Sequence, residues 1–68
     1  MKAVSGKDFC RLLERYGWGL RRISGSHHIY TKAGTNSRIT VPVHGNSSLK
    51  LGLQRTLMKL AGIDENEL

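Results

Sequence analysis

The sequence predicts an α+β fold of order α-β-β-β-α, a three-stranded antiparallel sheet with two helices on one face. Three observations predict it. Apolar residues recur at helical spacing near both ends of the chain, and each run is closed by a glycine. Between these runs lie three short β-rich segments separated by Gly-, Ser- and Asn-containing turns. The last of the three alternates apolar and polar side chains, as a strand with one buried face must.

Ser5-Gly6-Lys7-Asp8 reads as a capping box with Asp8 in the place usually held by Glu or Gln, and Val4 and Phe9 sit at the staple positions. Phe9, Leu12, Leu13 and Tyr16 then share one face, so residues 6–16 form an amphipathic helix that Gly17 stops. Cys10 adjoins the stripe and reads as a small packing residue. After Gly17-Trp18-Gly19-Leu20, Arg21-Arg22-Ile23 is a short strand and Ser24-Gly25-Ser26 a turn. The second strand spans His27 to Lys32, and Ala33 to Ser37 is a polar hairpin loop. The third spans Arg38 to Val43, with Ile39, Val41 and Val43 alternating against Arg38, Thr40 and Pro42. Pro42 lacks a ladder donor, which places it at a sheet edge or a strand end.

His44-Gly45-Asn46-Ser47-Ser48 is a loop that supplies a cap to the last helix, which runs from about Leu49 to Ala61 with Leu49, Leu53, Leu57 and Leu60 as its core stripe. Gly62 ends it, Ile63 packs back over its last turn, and the acidic residues beyond form one extra turn or fray. Both helices need an apolar surface and the sheet offers one. Both therefore pack on the same sheet face and leave the other open.

The chain has 68 residues, the size of one small domain spanning 1–68. A single cysteine excludes an internal disulfide and any Cys-x-x-Cys metal knuckle. There is no signal-peptide h-region and no apolar run near membrane-spanning length, so the expectation is a cytoplasmic protein without membrane contact. The charge is one-sided: the formal net is +6 and the pI about 10.1. Asp64, Glu65 and Glu67 crowd the last five residues, and no Asp or Glu occurs between Arg15 and Ile63. That stretch carries Arg15, Arg21, Arg22, Lys32, Arg38, Lys50, Arg55 and Lys59. A field of one sign over most of a small protein favours a polyanionic partner, either nucleic acid or an acidic protein.

The segment Gly25-Ser-His-His-Ile-Tyr30 concentrates the chemistry. Adjacent strand residues point to opposite faces, so His27 and His28 cannot share one task. Cleavage of RNA by internal attack needs a base for the 2′-hydroxyl proton, an acid for the leaving oxygen and cations on the phosphate. A histidine, titrating near neutrality, suits the proton transfers. The chain offers histidines and cations but no carboxylate cluster for magnesium, so a nuclease here is expected to need no metal or other cofactor. His27 and His28 diverge and His44 is the only further imidazole, which disfavours a zinc site. Without a Cβ, Gly25 lets a phosphate approach the backbone, and Ser26 can donate to a phosphate oxygen. Trp18 and Tyr30 read as core or edge residues rather than as platforms for bases.

Four segments in order, GKDFCRLLERYGWGL, GSHHIY, ITVPVHGN and LKLGLQRTLMKLAGI, make nearly the whole chain resemble the HicA toxins, the small messenger-RNA interferases of bacterial and archaeal toxin–antitoxin pairs. The resemblance implies a fold like a double-stranded RNA-binding domain. It also implies an endoribonuclease that acts on mRNA independently of the ribosome and is restrained by a HicB-like antitoxin, as a monomer alone or within a toxin–antitoxin hetero-oligomer. The family's active histidine lies in the Gly-Ser-His motif, which carries the catalytic role onto His27. Some members hold it one position later, which keeps His28 as the rival, and which strand face is buried is not decided by the residues themselves. His44 matches a frequent family histidine near the end of the third strand, as a group that orients RNA or caps the loop. Gly25, Ser26, Arg21, Arg22, Lys32, His44, Lys50 and Arg55 are the expected RNA contacts, made chiefly to phosphates. The competing readings are a small RNA-binding module without cleavage and, more weakly, an adaptor that binds an acidic protein.

Overall fold

A computed structural model describes residues 1–68 and has the expected order of elements. Helix α1 (Gly6–Arg15) is capped by Ser5, whose hydroxyl accepts from the Asp8 amide at 3.1 Å. Glycine at position 6 is required by packing: a Cβ there would collide with the Pro42 carbonyl, so α1 starts in direct contact with the backbone of the third strand. Gly17 ends the helix with φ +89°, and the Trp18 amide folds back onto the Leu13 carbonyl at 3.0 Å, which buries the indole.

Strands β1 (Gly19–Ser24), β2 (His27–Thr31) and β3 (Arg38–Pro42) form an antiparallel sheet in the order β1-β2-β3. β1 is longer than the three residues expected because a bulge at Arg21 lets the ladder continue to Gly19. The register is Leu20 opposite Tyr30, then Arg22 opposite Ile29 and Ile23 opposite His28. Directly opposed residues share a face. The extra residue therefore turns Arg22 to the Ile29 face and Ile23 to the His28 face, the reverse of simple alternation from Leu20. Pro42 lies at the end of an edge strand, where its missing donor costs the ladder nothing.

Helix α2 (Leu51–Ala61) corrects the expected stripe. Its buried residues are Gln54, Leu57, Met58 and Ala61, whereas Leu53 is 38% and Leu60 53% exposed. The cause lies just before the helix. Leu49 is buried, but its amide donates to the Val4 carbonyl at 2.8 Å in an extended pairing beside the Ser5–Ser48 bridge, so it belongs to no helical face. A stripe counted from Leu49 starts out of phase. Ser47 and Ser48 also give no cap: Lys50 occupies that position without a side-chain bond. The C-terminal end is as expected. Gly62 adopts φ 71°, and the Ile63 amide bonds the Met58 carbonyl at 3.0 Å. Asp64 then caps a single 3-10 turn over Glu65–Glu67.

Both helices cover one face of the sheet, and the core centres on Phe9, Leu13, Tyr30, Ile39 and Val41. Gln54 is its one buried polar side chain. Its Oε1 accepts from the Val4 amide at 3.0 Å and its Nε2 donates to the Lys2 carbonyl at 2.7 Å. The amide thereby satisfies two backbone groups that the helix would otherwise bury unpaired.

Candidate active site

The faces of the two histidines follow from Tyr30. Its ring is 2% exposed beneath α1, and its hydroxyl donates to Glu14 Oε2 at 2.9 Å. Tyr30 pairs with Ile39 and His28 with Val41, and both partners are fully buried. His28 thus stands on the helix-covered side, half-buried at its margin. His27 pairs with Pro42 and Ile29 with Thr40, on the uncovered side, and His27 is exposed. The question that Ile29 and Tyr30 left open is settled by the tyrosine being the core residue.

The turn before His27 is tied to the loop after β3. Gly25 has φ +60° with open space where a Cβ would be, and the Ser26 carbonyl accepts from the Val43 amide at 2.8 Å. This bond extends the β2–β3 ladder past the strand ends and sets the His44 segment beside the Gly25-Ser26 turn. Val43 packs against the core, while Pro42 and His44 on either side of it line one hollow with Ser47, Ser48, Lys50 and Leu53. Lys50, at the start of α2, thus approaches the same end of the sheet.

The uncovered sheet face is basic. Arg22 shares it with His27 because of the bulge, and Arg38, opposite Thr31, shares it by register. The only ion pair in the molecule is Asp8–Arg11, at 3.4 Å on the far helix, so neither arginine is neutralised. Arg38 was legible as the outward partner of Ile39 in the third strand, but no motif singled it out. Two expected contacts lie elsewhere. Lys32 is beyond the opposite end of β2, with its Nζ 5.9 Å from the centroid of the Trp18 ring. Arg55 lines a separate hollow with Met1, Lys59 and Glu65.

Two groups near the core, Cys10 and Tyr30, are biased toward their protonated forms. Burial pushes the Cys10 thiol up, the neighbouring Tyr30 hydroxyl works against it, and the Glu14 charge adds to the rise. Burial also raises the Tyr30 phenol strongly, helped by its hydrogen bonds to Cys10 and Glu14. Neither side chain serves as a nucleophile or base near neutral pH. Trp18 is buried and makes no hydrogen bond through Nε1, and its burial fits a core role rather than a platform for bases.

A family model described as the HicA toxin of bacterial toxin–antitoxin systems matches residues 6–63. The chain belongs to the HicA toxin family. Among solved structures, a chain of the HicA3 and HicB3 toxin–antitoxin complex is 32% identical and superposes with a TM-score of 0.72, covering 85% of this chain and 92% of that one. No curated protein matches the sequence. The HicA match begins at Gly6, whose contact with Pro42 seats α1 on the sheet, and ends at Ile63, which closes α2.

Proposed function

We propose that this HicA chain is the toxin of a toxin–antitoxin pair and cleaves messenger RNA without a metal, with His27 as the general base. The observation that carries the reading is the placement of His27: exposed on an acid-free sheet face, beside the Gly25-Ser26 turn and near Arg22, with Arg38 further along the same face. His27 takes the proton of a 2′-hydroxyl, the 2′ oxygen attacks the adjacent phosphorus, and the bond to the 5′ oxygen of the next nucleotide breaks. The products are a 2′,3′-cyclic phosphate and a 5′-hydroxyl. Arg22 and Lys50 stabilise the charge that builds on the phosphoryl oxygens, and Arg38, at the other end of the same face, holds a phosphate further along the strand. All five carboxylates lie away from this face, in α1 and in the C-terminal turn, which supports a mechanism built on imidazole and cations.

A HicB-like antitoxin restrains the enzyme by covering this face, where an acidic surface meets uncompensated arginines. The supporting observation is the likeness to a chain of a toxin–antitoxin complex. The deciding experiment compares wild type with His27→Ala and His28→Ala on purified RNA in excess EDTA. Wild type cleaves and leaves cyclic phosphate ends, His27→Ala is slower by about 10²–10⁴ with the fold retained, and His28→Ala keeps most activity. A strict need for a divalent ion, or a dead His28→Ala beside an active His27→Ala, overturns the assignment.

A further inference from the structure

We infer that His44 is the general acid that protonates the departing 5′ oxygen, so that cleavage runs between two histidines contributed by neighbouring strand ends. The inference rests on the nuclease reading above and assigns the proton donor that such a reaction needs. Its basis is register. His27 pairs with Pro42, and the bond from the Val43 amide to the Ser26 carbonyl carries the same register one step further. Val43 turns inward to the core, so strand alternation turns Pro42 and His44 the same way, away from it. His44 is therefore a diagonal neighbour of His27 on one face. Such neighbours have Cα atoms roughly 7–8 Å apart and are within reach of long and aromatic side chains. A phosphodiester lying across the Gly25-Ser26 turn sits between the two rings, with its attacking and leaving oxygens on opposite sides of phosphorus.

No other imidazole or buried phenol is placed for this role. His28 stands on the covered face behind the strand. The Tyr30 hydroxyl is committed to Glu14 inside the core. The arginines on the open face bind phosphate as fixed cations. The balance closes. One proton passes from the 2′-hydroxyl to His27 and one from imidazolium His44 to the 5′ oxygen, while the P–O2′ bond forms and the P–O5′ bond breaks. Hydrolysis of the cyclic phosphate or exchange with water restores both rings.

The test separates proton donation from mere positioning. An RNA is prepared with sulfur in place of the bridging 5′ oxygen at the bond that wild type cuts. A thiol ionises near pH 8.5, far below the roughly 15.7 of water, so a thiolate departs without a proton. His44→Ala is expected to cut the oxygen substrate about 10²–10⁴-fold more slowly and the sulfur substrate within a few fold of wild type. His27→Ala is slow on both. His44 is exposed, and an unchanged melting temperature of the variant checks that the fold is kept. Equal losses on the two substrates would overturn acid catalysis in favour of positioning, and full activity on both would remove His44 from the site altogether. A wild type that cuts neither substrate overturns the nuclease reading itself.

Discussion

Tyr30 links the core to the site through one side chain. Its ring fixes which face of β2 is buried, and its hydroxyl is held by Glu14 at 2.9 Å. Because burial and its partners favour the protonated phenol, the native state holds that proton more tightly than the unfolded chain does. The resulting stability is complete below the ordinary tyrosine value near 10 and is lost as the pH climbs beyond it. Cys10 acts in the same direction from its ordinary value of 9.0. Urea unfolding at pH 8 and at pH 10.5 should therefore show a marked alkaline loss. Tyr30→Phe should be less stable than wild type at pH 8 by about 1–3 kcal/mol, the worth of a hydrogen bond to a charged group. The gap between the two proteins should narrow at pH 10.5, and a constant gap would refute the coupling. His27 and His28 show the limit of reading at this scale. The sequence supplies two imidazoles of opposite facing, but which faces solvent depends on whether Ile29 or Tyr30 enters the core. The long aromatic is decided by Glu14, a partner on another element.

At the scale of elements, β3 was legible because a half-covered strand writes its burial into alternate residues: Ile39 and Val41 are fully buried between exposed Arg38 and Thr40. Both helix stops were legible for a similar reason, since a left-handed turn selects glycine, and Gly17 and Gly62 supply it. The face of α2 was not. Leucines at 51, 53, 57 and 60 surround the helix, so hydrophobicity alone does not point to the sheet. The residue that marks the true face, Gln54, is polar, and its partners Lys2 and Val4 are backbone groups some fifty positions away. Alanine substitutions measure the phase directly. Leu57→Ala should cost about 2–5 kcal/mol, as a deleted core side chain does, whereas Leu53→Ala and Leu60→Ala should each cost well under half of that. A Leu60→Ala variant as damaged as Leu57→Ala would restore the stripe counted from Leu49. The bulge in β1 was equally hidden. Arg21-Arg22 carries no turn residue, and only the pairing with β2 shows that one of the two is supernumerary.

For the whole molecule, net charge and its distribution act together. A formal +6 with a single ion pair leaves the open face under one sign, and affinity for RNA should fall steeply with salt. Each phosphate contact on a single strand contributes about −0.7 to the slope of log K against log salt. Removing Arg22 or Arg38 should therefore flatten the slope by about that amount, while Lys32→Ala and Arg55→Ala, away from the face, should leave it unchanged. Fluorescence titration of a labelled, uncleavable 2′-deoxy analogue between 50 and 300 mM salt measures this. Equal slope changes for all four variants would mean that the charge acts diffusely and the face has no special role. Composition alone made the excess of cations legible; only register separated those on the open face from those elsewhere.

Gln54 sets an order of events as well as a contact. Because its amide holds the Lys2 carbonyl and the Val4 amide, the segment leading into α1 has no settled place until α2 exists. The leading segment is made first and waits unclasped. The segment before α1 and the loop after β3 are held to each other only through Leu49 and Gln54, so neither is anchored before those residues have been made. A nascent chain halted before that point holds every residue of the Gly-Ser-His-His segment but lacks the clasp that fixes its surroundings.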